Sequence, residues 1–220
     1  MRGSPLAYLR EAAKADRRPG AVQLARFYPS WRRYLRSGSS PLEERVPWVT
    51  FGAFGLLRSR VGSGTRVFEY GAGGSSLFFL DRGADLVSVE HDEQWARATA
   101  AAAGGADWDL RLRPPDPGGD GYPSQKAAGS FRDYATAIDG LGEFDLVVVD
   151  GRARNHCIAE ALDHVAPGGA MLVDNTERRR YRHGVGLLDA RGWPRREYAG
   201  PGPFNSWFWS TTVWFRPTAP

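Results

Sequence analysis

Apolar residues in this 220-residue chain gather in short continuous runs, and few of them alternate with polar ones. Val67-Phe68, Leu86–Val89, Leu146–Val149 and Ala170–Val173 are such runs, and the segments they open end on Glu69, Glu90, Asp150 and Asp174. Unbroken apolar runs of this length suit parallel strands buried on both faces. Helix-forming stretches separate them: one opening at Leu77–Leu80, one from His91-Asp92-Glu93 to Ala103, one over 131–138 and one over 155–165, the last followed by a turn at Pro167-Gly168-Gly169. Asp109–Arg113 alternates and predicts a third strand before the long segment 114–131, whose prolines and glycines predict a loop. Strand and helix in strict succession imply a doubly wound α/β sheet, mostly parallel. Arg195–Ala199 and Ser210–Phe215, joined through Gly200-Pro201-Gly202-Pro203, depart from that order and predict an antiparallel C-terminal hairpin completing seven strands.

The first 47 residues carry no strand pattern. Pro5–Ala15 has apolar groups at Leu6, Leu9 and Ala13, Arg17-Arg18-Pro19-Gly20 breaks it, and a second helix is expected from Ala21 into Tyr34. Its arginines (26, 32, 33, 36) fit a solvated face, and Phe27, Trp31 and Tyr34 an inward one. The expected organisation is therefore an N-terminal helical extension over 1–47, serving as a structural cap or as a wall of a site, and one α/β domain over 48–220. Trp48 reads as core, and Thr50 as a cap for the next helix.

Charge and cysteine content narrow the classes. Net charge is +4, nearly all of the positive charge being arginine, and the pI is about 9.4. No basic run is interleaved with aromatics in a known nucleic-acid module, so a nucleic-acid partner is disfavoured. A single cysteine, Cys157, excludes an internal disulfide and agrees with a reducing compartment. The first residues are polar and no apolar run reaches ~18 residues, so neither a leader nor a membrane span is expected and the cytoplasm is the default. Oligomeric state is not legible.

The candidate chemistry centres on Glu69-Tyr70-Gly71-Ala72-Gly73-Gly74-Ser75-Ser76. Glycines here let backbone approach a ligand at the carboxyl edge of the sheet, where nucleotide-like ligands bind. A dinucleotide fingerprint would need glycine where Ser76 stands, and a carboxylate at position 69 opposes a pyrophosphate but suits a cation. Glu90, about twenty residues on, is placed to accept from ribose hydroxyls. On these residues the chain resembles the class I S-adenosylmethionine-dependent methyltransferases, whose acidic-x-Gly-x-Gly motif matches Glu69, Gly71 and Gly73. The resemblance implies a Rossmann-like fold and an enzyme using S-adenosylmethionine, bound by Glu69, Gly71, Gly73, Ser75, Glu90, His91 and Asp150. It implies a methyl acceptor, read as a small molecule methylated at oxygen. RNA as acceptor and a nicotinamide-type nucleotide-binding protein are the rival readings.

Asp150, Asp174 and Asn175 end neighbouring strands, and the pattern is similar to that of catechol-type O-methyltransferases, where such residues hold a divalent cation. That likeness implies Mg²⁺ at Asp150, Asp174 and Asn175, which would lower the pKa of the acceptor hydroxyl. Those enzymes carry a lysine soon after the first aspartate. Here Gly151-Arg152-Ala153-Arg154-Asn155-His156 has arginines instead, so a metal-free reading stands beside the metal one. Asp150 and His156 are the candidate catalytic groups, with His183 a further candidate base. The arginines at 178–180 and 182 stand near the site and suit a carboxylate or phosphate on the acceptor.

Overall fold

The computed structural model describes residues 3–15 and 19–218. Arg17 and Arg18, read as part of a helix break, lie outside the described residues. In chain order the helices α1 (Pro5–Lys14), α2 (Ala21–Ser37), α3 (Pro41–Glu44) and α4 (Phe51–Arg60) precede any strand. Then follow β1 (Arg66–Tyr70), α5 (Gly74–Leu80), β2 (Asp85–Glu90), α6 (Glu93–Ala103) and β3 (Asp109–Leu112). The central part comprises β4 (Pro123–Ser124), β5 (Ala127–Ser130), α7 (Arg132–Ala135), β6 (Phe144–Val149), α8 (Arg154–Ala161) and β7 (Val165–Asp174). Last come α9 (Arg182–Ala190), β8 (Arg195–Gly200) and β9 (Trp209–Phe215).

The seven-stranded sheet has the order β3-β2-β1-β6-β7-β9-β8, parallel from β3 to β7, with β9 antiparallel to both β7 and β8. The doubly wound sheet with an antiparallel closing hairpin is as the apolar runs predict. Strand order reverses between β1 and β6, and such a switch point opens a crevice above the carboxyl ends of those strands. Because side chains alternate across a strand, Val147 and Val149 join the core on one face with Phe68, Tyr134 and Ile158. Leu146 and Val148 join the other, with Phe79, Leu172 and Leu57.

The N-terminal helices form a third, aromatic cluster around Tyr8, Trp31, Tyr34 and Phe51, with Phe204 and Phe208 packed against it. Trp31 is fully buried and its Nε1 donates to the carbonyl of Asn205 at 2.9 Å. The extension thus grips the segment between β8 and β9.

Four local expectations change. The second helix continues past Tyr34 to Ser37, carrying Pro29 inside it, because its aromatic face is buried. The supposed loop 114–131 contains the β4–β5 hairpin, tied down by paired backbone hydrogen bonds between Asp116 and Ser130 at 2.9 and 2.8 Å. Pro167-Gly168-Gly169, read as a turn, is an irregularity inside β7, where pairing jumps from Phe144–Val165 to Leu146–Ala170. Thr50 precedes α4 without a side-chain cap bond; its hydroxyl donates to the Tyr198 carbonyl at 3.0 Å.

Candidate active site

The turn after β1 is built by backbone geometry. Gly71 has φ of 100°, and a Cβ there would lie 2.9 Å from Gly151 Cα, so a side chain is excluded by both strain and contact. Three amides of this turn are spent internally. Gly71 N–H donates to the Val89 carbonyl at 2.8 Å, Ala72 N–H to Glu90 Oε2 at 3.1 Å, and Gly73 N–H to Ser76 Oγ at 2.9 Å. Ser76 Oγ in turn donates to Glu69 Oε1. The serine that breaks the dinucleotide fingerprint is therefore what closes this turn.

Glu69 was expected to meet the ligand's charge directly. It is fully buried and accepts from Ser75 Oγ at 2.7 Å and Ser88 Oγ at 2.6 Å as well as from Ser76. The correction is one of place: the carboxylate lies behind the turn and fixes it. Burial, against the pull of the three hydroxyls, raises its pKa to about 7.

At the tip of β2, Glu90 accepts from Ala72 N–H through Oε2 and from His91 and Asp92 N–H through Oε1, the latter two at 2.7 and 2.9 Å. Backbone donors thus hold a nearly buried carboxylate at the rim of a cleft of about 540 Å³. His91 lies beside it, its ring 5.7 Å from that of Phe131. Trp95, on the first turn of α6, donates Nε1–H to the Ala72 carbonyl at 2.6 Å and lies over Gly73, where a Cβ would meet the indole at 3.4 Å.

Across the switch point Asp150, Asp174 and Asn175 do converge, with Arg154 among them. The buried Arg154 guanidinium donates to Asp150 Oδ1 at 2.7 Å and the Asp150 carbonyl at 2.6 Å. It also reaches the Asp174 carbonyl and, at 3.4 Å, Asn175 Oδ1. Asp174 Oδ1 is held by Trp209 Nε1 at 2.8 Å and Thr211 Oγ1 at 2.5 Å. Burial and the neighbouring Asp150 charge raise the Asp174 pKa to about 8. One oxygen of each carboxylate and Oδ1 of Asn175 are thus already engaged, and a guanidinium cation lies among them. A divalent ion there would meet like charge, so the donor set does not fit a metal. Among the described residues no cluster of three or more His, Cys, Asp or Glu fits one either.

No protein-family model and no curated protein matches the chain. Solved structures do. A candidate O-methyltransferase from Klebsiella pneumoniae is 18% identical, covering 90% of this chain and 97% of that one, with a TM-score of 0.56. The N-methyltransferase NodS from Bradyrhizobium japonicum is 14% identical over 81% and 98%, TM-score 0.51. Aeropyrum pernix fibrillarin with bound S-adenosyl-L-methionine is 15% identical over 76% and 75%, TM-score 0.50. The fold is that of the class I S-adenosylmethionine-dependent methyltransferases.

Within this methyltransferase fold, the cleft is lined by Gly71, Gly73, Ser75, Glu90, His91, Asp150, Asp174 and Asn175 from the sequence-expected set. His156 is not among them. It lies in an adjoining pouch, its ring 4.7 Å from that of Tyr122, with burial lowering its pKa. His183 is exposed on α9. Trp48, read as core, is 41% exposed and lines the cleft instead. Trp95, Lys126, Arg154, Trp207 and Trp209 were not anticipated as site residues. For Arg154 the signal was present, as an arginine four residues after a strand-end aspartate. Among the described residues no helix is long and apolar enough to cross a membrane.

Proposed function

We propose that this protein methylates an oxygen of a small-molecule acceptor with S-adenosylmethionine, and does so without a metal. The observation that carries the choice of cofactor is the state of the loop amides. Those of Gly71, Ala72 and Gly73 already donate within the protein and are closed to a pyrophosphate, while Glu90 puts a carboxylate beside the turn and Asp92, Asp150 and Asp174 line the cleft together with Lys126, Arg152, Arg154 and Arg178. A cationic amino-acid tail and a neutral ribose suit such a lining, and the size of the cleft is that of a small-ligand site.

In this reading Glu90, held by three backbone N–H groups, accepts from ribose hydroxyls, and Trp95 and His91 flank the adenosine. When bound, S-adenosylmethionine supplies a methyl group already activated by its sulfonium. The protein's part is alignment and proton removal. Asp150 is partly exposed to the cleft, with Oδ1 tied to Arg154. Its Oδ2 would take the proton of the acceptor hydroxyl as that oxygen gains the methyl group and the methyl–sulfur bond breaks, leaving the neutral thioether. The helices before residue 48 act as a cap that steadies the acceptor wall. Calorimetry with S-adenosylhomocysteine and NAD⁺ tests the cofactor assignment: the parent binds the first, and Gly71→Val, whose Cβ collides with Gly151, loses it while keeping its circular dichroism. Binding of NAD⁺ in preference to S-adenosylhomocysteine would overturn the proposal.

A further inference from the structure

Beside the main cleft, and sharing Lys126, Gly151, Arg152 and Arg154 with it, is a smaller pouch of about 180 Å³. Its polar wall includes Lys126, Arg152, Asn155, His156, Arg180 and Tyr181, and among the described residues no carboxylate lines it. The nearest acid that His156 senses, Glu160, is occupied by the Tyr122 hydroxyl at 2.6 Å and stays outside.

Two observations point to a ligand. Nε of Arg152 and Nε of Arg180 are both buried with no hydrogen-bond partner among the described residues, although a buried donor left unmade costs about 1–3 kcal/mol. Elsewhere in the molecule arginines find acids: Arg45 with Asp81 at 2.6 Å, Arg191 with Asp163 and Arg195 with Asp189 at 2.7 Å. The pouch withholds that pairing from Lys126, Arg152 and Arg180, whereas Arg154, shared with the cleft, keeps Asp150. Asn155 cannot supply it, since its Oδ1 accepts from Gly184 N–H at 3.0 Å and its Nδ2 donates to the Arg180 carbonyl at 2.8 Å. Tyr181 braces the wall, lying 5.1 Å from the Arg180 guanidinium and 5.0 Å from that of Arg154.

We infer that this pouch seats an oxyanion of the methyl acceptor, a carboxylate or a phosphate monoester, while the acceptor's hydroxyl lies across Gly151 beside Asp150. The inference deepens the proposed function and rests on it. Arg152 and Arg180 can offer paired N–H groups to two oxygens and Lys126 a point charge. Gly151 lines both chambers where they meet, and the exposed indoles of Trp48 and Trp207 suit an apolar or planar body between the ligand's two ends.

The test uses inorganic phosphate and benzoate as probes, titrated separately into the full-length protein while the His156 ring signals are followed by NMR. The parent shows saturable binding that shifts His156. Tighter phosphate assigns the phosphate monoester, and tighter benzoate the carboxylate. Arg180→Gln and Lys126→Gln each weaken the preferred probe about tenfold. In Arg180→Gln, whose side chain lines the pouch and not the main cleft, S-adenosylhomocysteine affinity stays within twofold of the parent, so a failed pouch and a failed cofactor assignment give different results. Absence of saturable binding by either probe, or equal binding by the parent and both variants, would overturn the inference.

Discussion

At the residue scale two buried charges decide how the site is read. Glu69 sits at zero exposure with its pKa raised to about 7. The native state therefore keeps a proton that the unfolded chain releases above its ordinary value of 4.5. Stability is undiminished below that value and falls as pH rises to about 7, by an amount on the order of 3 kcal/mol for a shift of this size. Glu69→Gln removes this slope. Urea denaturation across that range should show the parent losing stability relative to the variant, and parallel curves would refute the assignment. Arg154 is the second charge. With it in place excess chelator leaves turnover unchanged and added Mg²⁺ does not raise it. Arg154→Ala leaves the Asp150 carboxylate without its partner and should cost roughly 3–5 kcal/mol. A lysine there cannot reproduce a fork shared among five oxygens. The sequence showed the carboxylates at the strand ends, because a charge terminating an apolar run is a one-dimensional signal. It did not show that Glu69 faces backwards or that Arg154 points at Asp174, because both depend on how distant strands align.

At the scale of elements, β1, β2, β6 and β7 were readable because each carries an apolar run, and the helix order followed from them. The β4–β5 hairpin was not. It is short, rich in glycine and proline, and held by the Asp116–Ser130 pairing instead of by any apolar pattern, yet it delivers Lys126 to both chambers. The tie between α2 and the segment before β9 was equally hidden, since it joins residues 174 positions apart. It leads to a prediction. Trp31→Phe keeps the ring packing against Tyr8 and Tyr28 but strands the Asn205 carbonyl, a loss of about 1–3 kcal/mol confined to that segment. Hydrogen exchange of the amides around Asn205 should quicken about tenfold, while those of β6 and β7 hold. Uniform quickening across the sheet would mean that the bond supports the whole domain instead of one wall of the cleft.

At the scale of the whole molecule, the net charge of +4 has to be weighed by where the arginines go. Many are paired one by one on separate faces: Arg45 with Asp81, Arg97 with Glu93, Arg111 with Asp109 and Arg216 with Glu143. A nucleic-acid surface needs its cations unpaired and in a continuous track, since affinity comes from displaced counterions. Three cations with no acidic partner among the described residues, Lys126, Arg152 and Arg180, lie together in a pouch of about 180 Å³, too small to follow a backbone. The fibrillarin likeness extends to the fold only, at 15% identity. Fluorescence anisotropy with a labelled structured RNA therefore distinguishes a macromolecular acceptor from a small one. Binding should be weak at low salt and vanish near physiological ionic strength, and Arg180→Gln should not alter it. Salt-resistant binding that this substitution reduces would move the oxyanion in the pouch from a small molecule to a phosphodiester, and the acceptor with it.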